Sequence, residues 1–323
     1  MERILVIKFG ALGDVVMATP LVEAVLNHHH SDEVSLLTTP AFAPIFAPWS
    51  RLTVRASARR GAVSMLALLR WLRATRFDRI YDLQGNTRTG LLCRLSGSAL
   101  RVGNHAGRNY THHPTEPWRG QCHIFTRMCA VLASAGVTVS AQQPLLPAGA
   151  NEVRAVDDWL ARHASDERPL ALLHAGASPT RPEKRWPYFT TLAGRLRAAG
   201  YRVVWLGSID DAVLNDACRG GDDLDASGAF DILALAEFGR RAAFAVTNDS
   251  GPMHVLAASG IPVFGLFGPS DWRRNHALGQ VEQVITVSEN RPQSRGTGAR
   301  GDLRALTVDA VWARLCASGV VTA

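Results

Sequence analysis

Residues 247–269, TNDSGPMHVLAASGIPVFGLFGP, read as the end of a strand, a phosphate-binding turn, a short helix and a further strand. Ala242 to Thr247 is an apolar run of one buried strand's length, and it stops abruptly at Asn248, Asp249, Ser250 and Gly251. Asp249 or Ser250 can cap a helix that begins near Pro252, a residue suited to the first helical position because its missing N–H would have had no partner there. The N–H groups of that first turn face outward and, helped by the helix dipole, offer a site to an anion. His254 lies one turn in, its ring within reach of the same ligand, and Gly251 lets a phosphate approach the chain. An ordinary, well-capped strand-to-helix connection would account for Asp-Ser-Gly alone equally well; the full segment favours the ligand.

The rest of the chain alternates apolar runs with amphipathic stretches, the rhythm of parallel strands joined by helices. Two such layers are expected. The first uses strands near Ile4 to Lys8, Glu33 to Thr38, Arg79 to Asp82 and Leu100 to Gly103, with a helix over Val15 to Asn27. The second uses Leu170 to His174, Val203 to Gly207, Ala243 to Thr247 and Val263 to Phe267. Between them AQQPLLPAGA, residues 141–150, is rich in Pro and Gly, which places a boundary there and gives domains 1–148 and 149–323. Ser288 to Asp302 lacks apolar periodicity and reads as a loop or lid. A Thr-capped helix follows over Thr307 to Ser318.

Length and composition set bounds. The 323 residues and 47% hydrophobic content suit two packed cores. No apolar run approaches the roughly 20 residues that span a bilayer, and the chain enters a strand without a leader, which points to a cytoplasmic protein. Cys93, Cys122, Cys129, Cys218 and Cys316 are odd in number and lack C-x-x-C spacing, so they are expected reduced and packed, without a disulfide framework or zinc site. His28, His29 and His30 form a polar helix end with no matching ligand pattern.

Charge is uneven. Lys and Arg outnumber Asp and Glu by 16 to 8 in residues 1–150, whereas the remainder carries 19 against 20. The basic half should face an anion, either nucleic acid or a phosphorylated glycolipid. Arg55, Arg59 and Arg60, then Arg70, Arg73, Arg76 and Arg79, surround a helical pattern containing Trp71 and Leu72; the first three are candidates for acceptor phosphates, and a solvated helix face explains many of the others. Only two of the 35 basic residues are lysines, Lys8 at the end of the first strand and Lys184 in the EKRWP loop. A lysine's compact, mobile charge suits a phosphate or a leaving diphosphate.

The turn GALGDVVMATP, residues 10–20, leaves room for a ligand at Gly10 and Gly13 but lacks the G-x-G-x-x-G of a dinucleotide site. Asp14 falls in or just before the first turn of a helix, where the dipole favours a carboxylate, and so can accept a proton. Asp223-Leu224-Asp225 has the Asp-x-Asp spacing of a metal pair but sits in an expected loop, GGDDLDASG, and reads as solvated.

Taken together these segments resemble glycosyltransferase family 9, the ADP-heptose:lipopolysaccharide heptosyltransferases. The resemblance rests on D-S-G-P-M-H followed by GIPVFGLFGP, on ILVIKFGALGDVVMATPLVEAV, on FDRIYDLQGNTRTGLLCRLSG, on HAGASPTRPEKRWP and on VVWLGSIDD, in family order from residue 4 to about residue 271. It implies a GT-B fold, two Rossmann-like domains facing a central cleft, with a final helix that can cross back to the first domain. It also implies Asp14 as general base and Lys184 as the donor-phosphate lysine. Gly176, Ala177 and Ser178 fall in the nucleotide loop, Gly207 beside the adenosine, and Asp249, Ser250, Gly251 and His254 around the sugar and diphosphate. Acceptor contacts are expected from Gly13, Arg55, Arg59, Arg60, Gln84, Gly85 and His123. One departure is the absence of a cysteine-rich stretch after the G-P-S-D turn, where an Arg-Gly loop stands instead; this leaves acceptor choice open.

The expectation is therefore an inverting, metal-independent monomeric transferase without a cofactor. It moves a heptose from an ADP-heptose donor to an anionic, lipopolysaccharide-type acceptor at the inner membrane surface, and binds no nucleic acid. Three other readings compete. The same fold can use another nucleotide sugar or a non-lipid acceptor. A nucleotide-sugar epimerase would need paired acid and base groups around one sugar, and a nucleic-acid binder would leave the diphosphate turn unused.

Overall fold

The computed structural model describes residues 1–58, 61–116, 122–164, 166–287 and 301–322, so Arg59, Arg60 and residues 288–300 of the Arg-Gly loop lie outside the described residues. The chain divides into two compact units, Met1–Leu145 and Leu146–Ala323.

Unit 1 contains strands β1 (Arg3–Ile7), β2 (Glu33–Thr38), β3 (Leu52–Ala56), β4 (Arg79–Asp82) and β5 (Leu100–Val102). Its helices are α1 (Leu12–His28), α2 (Ala62–Thr75), α3 (Thr87–Ser96) and α4 (Ile124–Ala133). The strands pair in parallel in the order β3-β2-β1-β4-β5. Crossover helices cover both faces of such a sheet, so its central strands read as unbroken apolar runs; Ile4, Leu5, Val6 and Ile7 are fully buried. The edge strand β3 escaped the sequence reading because only Leu52 in it is buried and the alternating polar side chains face water. All five cysteines are free, with Cys93 buried in this unit's core.

Unit 2 contains β6 (Leu170–His174), β7 (Arg202–Trp205), β8 (Leu224–Asp225), β9 (Phe244–Asn248), β10 (Val263–Phe267) and β11 (Val284–Thr286). Its helices are α5 (Ala150–His163), α6 (Phe189–Ala198), α7 (Ala212–Cys218), α8 (Ile232–Gly239), α9 (Gly251–Ala257), α10 (Trp272–Asn275) and α11 (Val308–Ala317). The sheet is again parallel, ordered β11-β10-β9-β6-β7-β8. This is the doubly wound Rossmann order, and the winding direction reverses between β6 and β9 as it does between β1 and β4 in unit 1. In such sheets the crevice at the reversal, beyond the carboxyl ends of the strands, is where ligands bind.

Thr307 caps α11 by accepting from the Ala310 N–H at 3.2 Å, as its sequence suggests. The apolar face of that helix is buried within unit 2, since Val311 and Leu315 join Trp186, Leu196 and Phe264 in one core cluster. Each such fully buried aliphatic side chain contributes about 1.5–3 kcal/mol. The helix is thus anchored by the core of its own unit.

Candidate active site

In unit 1 the ends of β1 and β4 are neighbours, with Ile7 in register with Asp82. After β1 the chain runs through Lys8 and Gly10 into α1, whose N-cap Ala11 has no side chain to offer, leaving Asp14 as the acidic group of the first turn. Lys8 is buried. Its Nζ donates to the Leu83 carbonyl at 3.2 Å and lies 3.6 Å from Asp14 Oδ2, while the Asp14 side chain stays 29% exposed.

Gln84 holds the turn from the other side: its Oε1 accepts from the Phe9 N–H at 2.9 Å and the Gly10 N–H at 3.2 Å. Gln84 is itself set by Asp82, which is fully buried. Asp82 Oδ1 accepts from the Gln84 and Gly85 N–H groups at 3.1 and 2.9 Å, and Oδ2 from the Tyr110 hydroxyl at 2.6 Å. Burial pushes the Asp82 pKa up, and these hydrogen bonds pull it back; burial and the neighbouring carboxylate together push Tyr110 up. Gly85 sits at φ +59°, where a Cβ would run into the Asn104 side chain.

Asp14, Gly13, Gln84 and Gly85 thus gather at the β1/β4 reversal. The other acceptor candidates lie on different elements. Arg55 is on edge strand β3 with its guanidinium 4.6 Å from the centre of the Trp71 ring. His123 is the N-cap of α4, its Nδ1 accepting from the Phe125 N–H at 3.2 Å.

In unit 2 the β6/β9 reversal collects the donor candidates. Lys184 Nζ donates to Asp249 Oδ2 at 2.6 Å, and the Ser270 hydroxyl donates to the same oxygen at 2.5 Å. Asp249 is buried and Lys184 18% exposed, so the ammonium keeps one side toward solvent. Ser250 is the N-cap of α9, yet its hydroxyl does not cap: it donates to the Asn248 carbonyl at 3.2 Å and shares a 3.1 Å hydrogen bond with His174 Nδ1. The first turn of α9 is therefore left without a side-chain cap, as an anion site requires. Gly176 is buried, Ala177 half-buried, and Ser178 exposed with its hydroxyl 3.0 Å from that of Thr180. His254 is buried in α9.

Several residues at this site carry no motif letter that singles them out. Asn248 is fully buried; its Nδ2 donates to the Ala175 and Gly176 carbonyls at 2.8 and 3.2 Å, and its Oδ1 accepts from the Trp186 N–H at 3.0 Å. It ties down both ends of the loop that carries Lys184. The Trp186 indole N–H donates to the Leu306 carbonyl at 2.7 Å, the bracing role expected of it. His174 is buried, and burial lowers its pKa to about 4 despite the attraction of Asp211, with Arg185 adding to the lowering. Asp211 also fills the space beside Gly207, where an added Cβ would come within 2.6 Å of its Cβ. The Asp211 carboxylate is held there by the Ser208 N–H at 2.9 Å and the Ser208 hydroxyl at 2.8 Å.

Asp223 is not solvated: its carboxylate is buried and accepts from Arg197 Nη1 at 2.7 and 2.8 Å, Trp205 Nε1 at 2.9 Å and the Gly220 N–H at 3.1 Å. Asp225 accepts from the Ser227 hydroxyl at 2.7 Å. The polar helix end around His29 is likewise partly interior. His29 is buried between Asp32 Oδ2 and the Tyr81 hydroxyl, both at 3.0 Å, and burial lowers its pKa. Glu2, His29 and Asp32 form the one group of potential metal-ligating atoms within 4.8 Å of one another among the described residues, and these hydrogen bonds give it a structural role. No helix among the described residues is long and apolar enough to cross a membrane.

Comparison with known proteins bears on the family and the fold. The sequence model of glycosyltransferase family 9 (heptosyltransferase) matches residues 65–300. Lipopolysaccharide heptosyltransferase 3 of Escherichia coli is 24% identical over 289 residues, covering 81% of this chain and 83% of the relative. The crystal structure of the glycosyl transferase family 9 protein from Veillonella parvula superposes with a TM-score of 0.82 at 21% identity, over 99% of this chain and 97% of that one. Escherichia coli heptosyltransferase WaaC, solved with ADP-2-deoxy-2-fluoro heptose, gives a TM-score of 0.71 at 19% identity, over 98% of this chain and 99% of that one.

Proposed function

Because the chain belongs to glycosyltransferase family 9, the heptosyltransferases, and folds as two Rossmann-like units of GT-B type, we propose that it transfers a heptose from ADP-heptose, with inversion, to a phosphorylated lipopolysaccharide core acceptor. The observation that carries this reading is the Lys184–Asp249–Ser270 cluster beside the uncapped first turn of α9, at the winding reversal of unit 2. The WaaC structure with a fluorinated ADP-heptose supports the donor assignment.

In the reaction an acceptor hydroxyl oxygen attacks the anomeric carbon as the bond from that carbon to the diphosphate oxygen breaks. Asp14 takes the hydroxyl proton, its carboxylate positioned by Lys8. Negative charge grows on the departing ADP, and Lys184 with the amides at Ser250 and Gly251 stabilises it through a fixed ammonium and oriented dipoles, without a metal. His254 and the Gly176 to Ser178 loop complete the donor side, and Asp249 orients the sugar. Gly13 and Gly85 border the acceptor hydroxyl, with Arg55, Arg59, Arg60 and His123 for its phosphates. The protein acts as a monomer in the cytoplasm, at the membrane face that bears its lipid-linked acceptor.

The test is to supply ADP-heptose and a core acceptor and to measure free ADP, with and without a chelator. ADP release that needs the acceptor and persists in chelator is expected, and Asp14→Ala should lose at least about 100-fold in kcat. Activity within about ten-fold of the parent would reject the base assignment. Calorimetric titration with ADP, UDP and GDP tests the donor, with preference for ADP expected.

A further inference from the structure

We infer that the paired outer faces of α2 and α3 form a docking surface for an anionic lipid bilayer. Among the described residues eight large hydrophobic side chains are exposed, and four of them lie here: Val63 at 84%, Leu66 at 49%, Leu91 at 42% and Leu95 at 37%. Helical spacing puts Val63 with Leu66 on one face of α2 and Leu91 with Leu95 on one face of α3. On α2, Val63, Leu66 and Arg70 follow at intervals of three and four, and on α3 Arg94 and Leu95 lie three and four residues after Leu91. The helices lie side by side, fastened by Arg73 Nε on the Leu95 carbonyl at 3.0 Å and by Arg88 Nε on Met65 Sδ at 3.1 Å.

Charge identifies the occupant. Neither helix contains an Asp or a Glu, and between Glu33 and Glu116 the only acidic residues are Asp78 and Asp82, of which Asp82 is buried. Exposed Arg70 and Arg94 therefore border the apolar stripe with no carboxylate on either helix to neutralise them. A surface facing only water has no use for such a stripe, whereas leucines that enter the acyl boundary while arginines meet phosphate headgroups match a helix pair lying in the interface. The inference rests on the membrane placement proposed above and gives it a surface, while its test needs neither heptose donor nor acceptor.

The test is co-sedimentation of the full chain with vesicles of phosphatidylcholine alone and of phosphatidylcholine with about one-third phosphatidylglycerol, at low and high salt. Binding to the anionic vesicles, weakened by salt and nearly absent on the neutral ones, is expected. Arg70→Ser with Arg94→Ser should weaken it about 25-fold, from about five-fold per arginine at an anionic leaflet. Leu66→Asp with Leu91→Asp should weaken it at least about ten-fold by removing apolar burial. ADP affinity and circular dichroism, measured on the same samples, should match the parent in both variants. Absence of vesicle binding by the parent, which would leave the stripe to a protein partner, overturns the proposal. So does equal binding by variants that keep their fold, or equal binding to neutral vesicles. Absence of ADP affinity in the parent would instead count against the transferase reading alone.

Discussion

Lys184 Nζ and Asp249 Oδ2 meet at 2.6 Å although 65 residues of chain separate them. The contact joins the loop after β6 to the end of β9 and so closes the reversal point of the second sheet. Lys184→Ala should weaken ADP binding about ten- to 100-fold, the range of a lost hydrogen bond to a charged group. Lys184→Arg should recover only part of it, because a planar fork cannot replace a compact ammonium beside Ser270. Calorimetry with ADP checks both; an unchanged affinity in the alanine variant would remove Lys184 from the donor site.

The side-chain oxygen of Gln84, an acceptor contact by resemblance, is taken by the Phe9 and Gly10 amides. Its effect on the reaction should therefore run through the turn that presents Asp14. Gln84→Ala should lower kcat about ten-fold or more with little change in acceptor KM, since misplacing a base costs rate more than binding. Gln84→Glu, which keeps an accepting oxygen, should restore much of the rate. A rise in acceptor KM at constant kcat would return Gln84 to direct acceptor binding.

His174 gives the fold a pH dependence with a defined direction. Above about pH 6.5 the imidazole is neutral both folded and unfolded, so it adds no slope. Between about 6.5 and about 4 the unfolded chain takes up a proton that the folded chain refuses, and stability falls as pH falls, by about 3 kcal/mol across the window. Urea unfolding at pH 7 and pH 4.5 should show a smaller acid loss in His174→Asn than in the parent. An identical loss in the two would mean that His174 protonates freely.

Asp223 should matter to stability and not to chemistry. Asp223→Asn removes the charge that Arg197 and Trp205 Nε1 share, and Arg197 is 26% exposed, so water recovers part of the cost. A loss of about 2–3 kcal/mol in chemical denaturation is expected, with kcat per folded molecule unchanged. Activity lost at unchanged stability would revive the Asp-x-Asp pair as a metal ligand.

Both sheets could be read from the sequence because central parallel strands are apolar on both faces, and Ile4 to Ile7 and Leu170 to Leu173 announce themselves. The edge strands β3, β8 and β11 could not, since Thr53 and Arg55 face water and β8 and β11 are only two and three residues long, β8 falling in a segment that reads as a loop. The candidate site was legible where a chemically telling residue follows a strand in its turn, loop or next helix, as with Asp14, Lys184 and Asp249. It was not legible where the role is internal support. Asn248 and His174 are polar letters within apolar strands, and that oddity was the available signal. Asp82 and Tyr110 are 28 residues apart in the chain and reveal their pairing only in space.

The scarcity of lysine has a practical side. Lys8 is 3% exposed, which leaves Lys184 as the accessible side-chain amine of the whole chain. An acylating dye, apart from the terminal amine, would find a single address at the winding reversal of the second unit. Bound ADP should shield that one amine from acylation, which mass spectrometry could follow without altering a single codon, whereas the acylated protein, its ammonium lost, should bind ADP poorly.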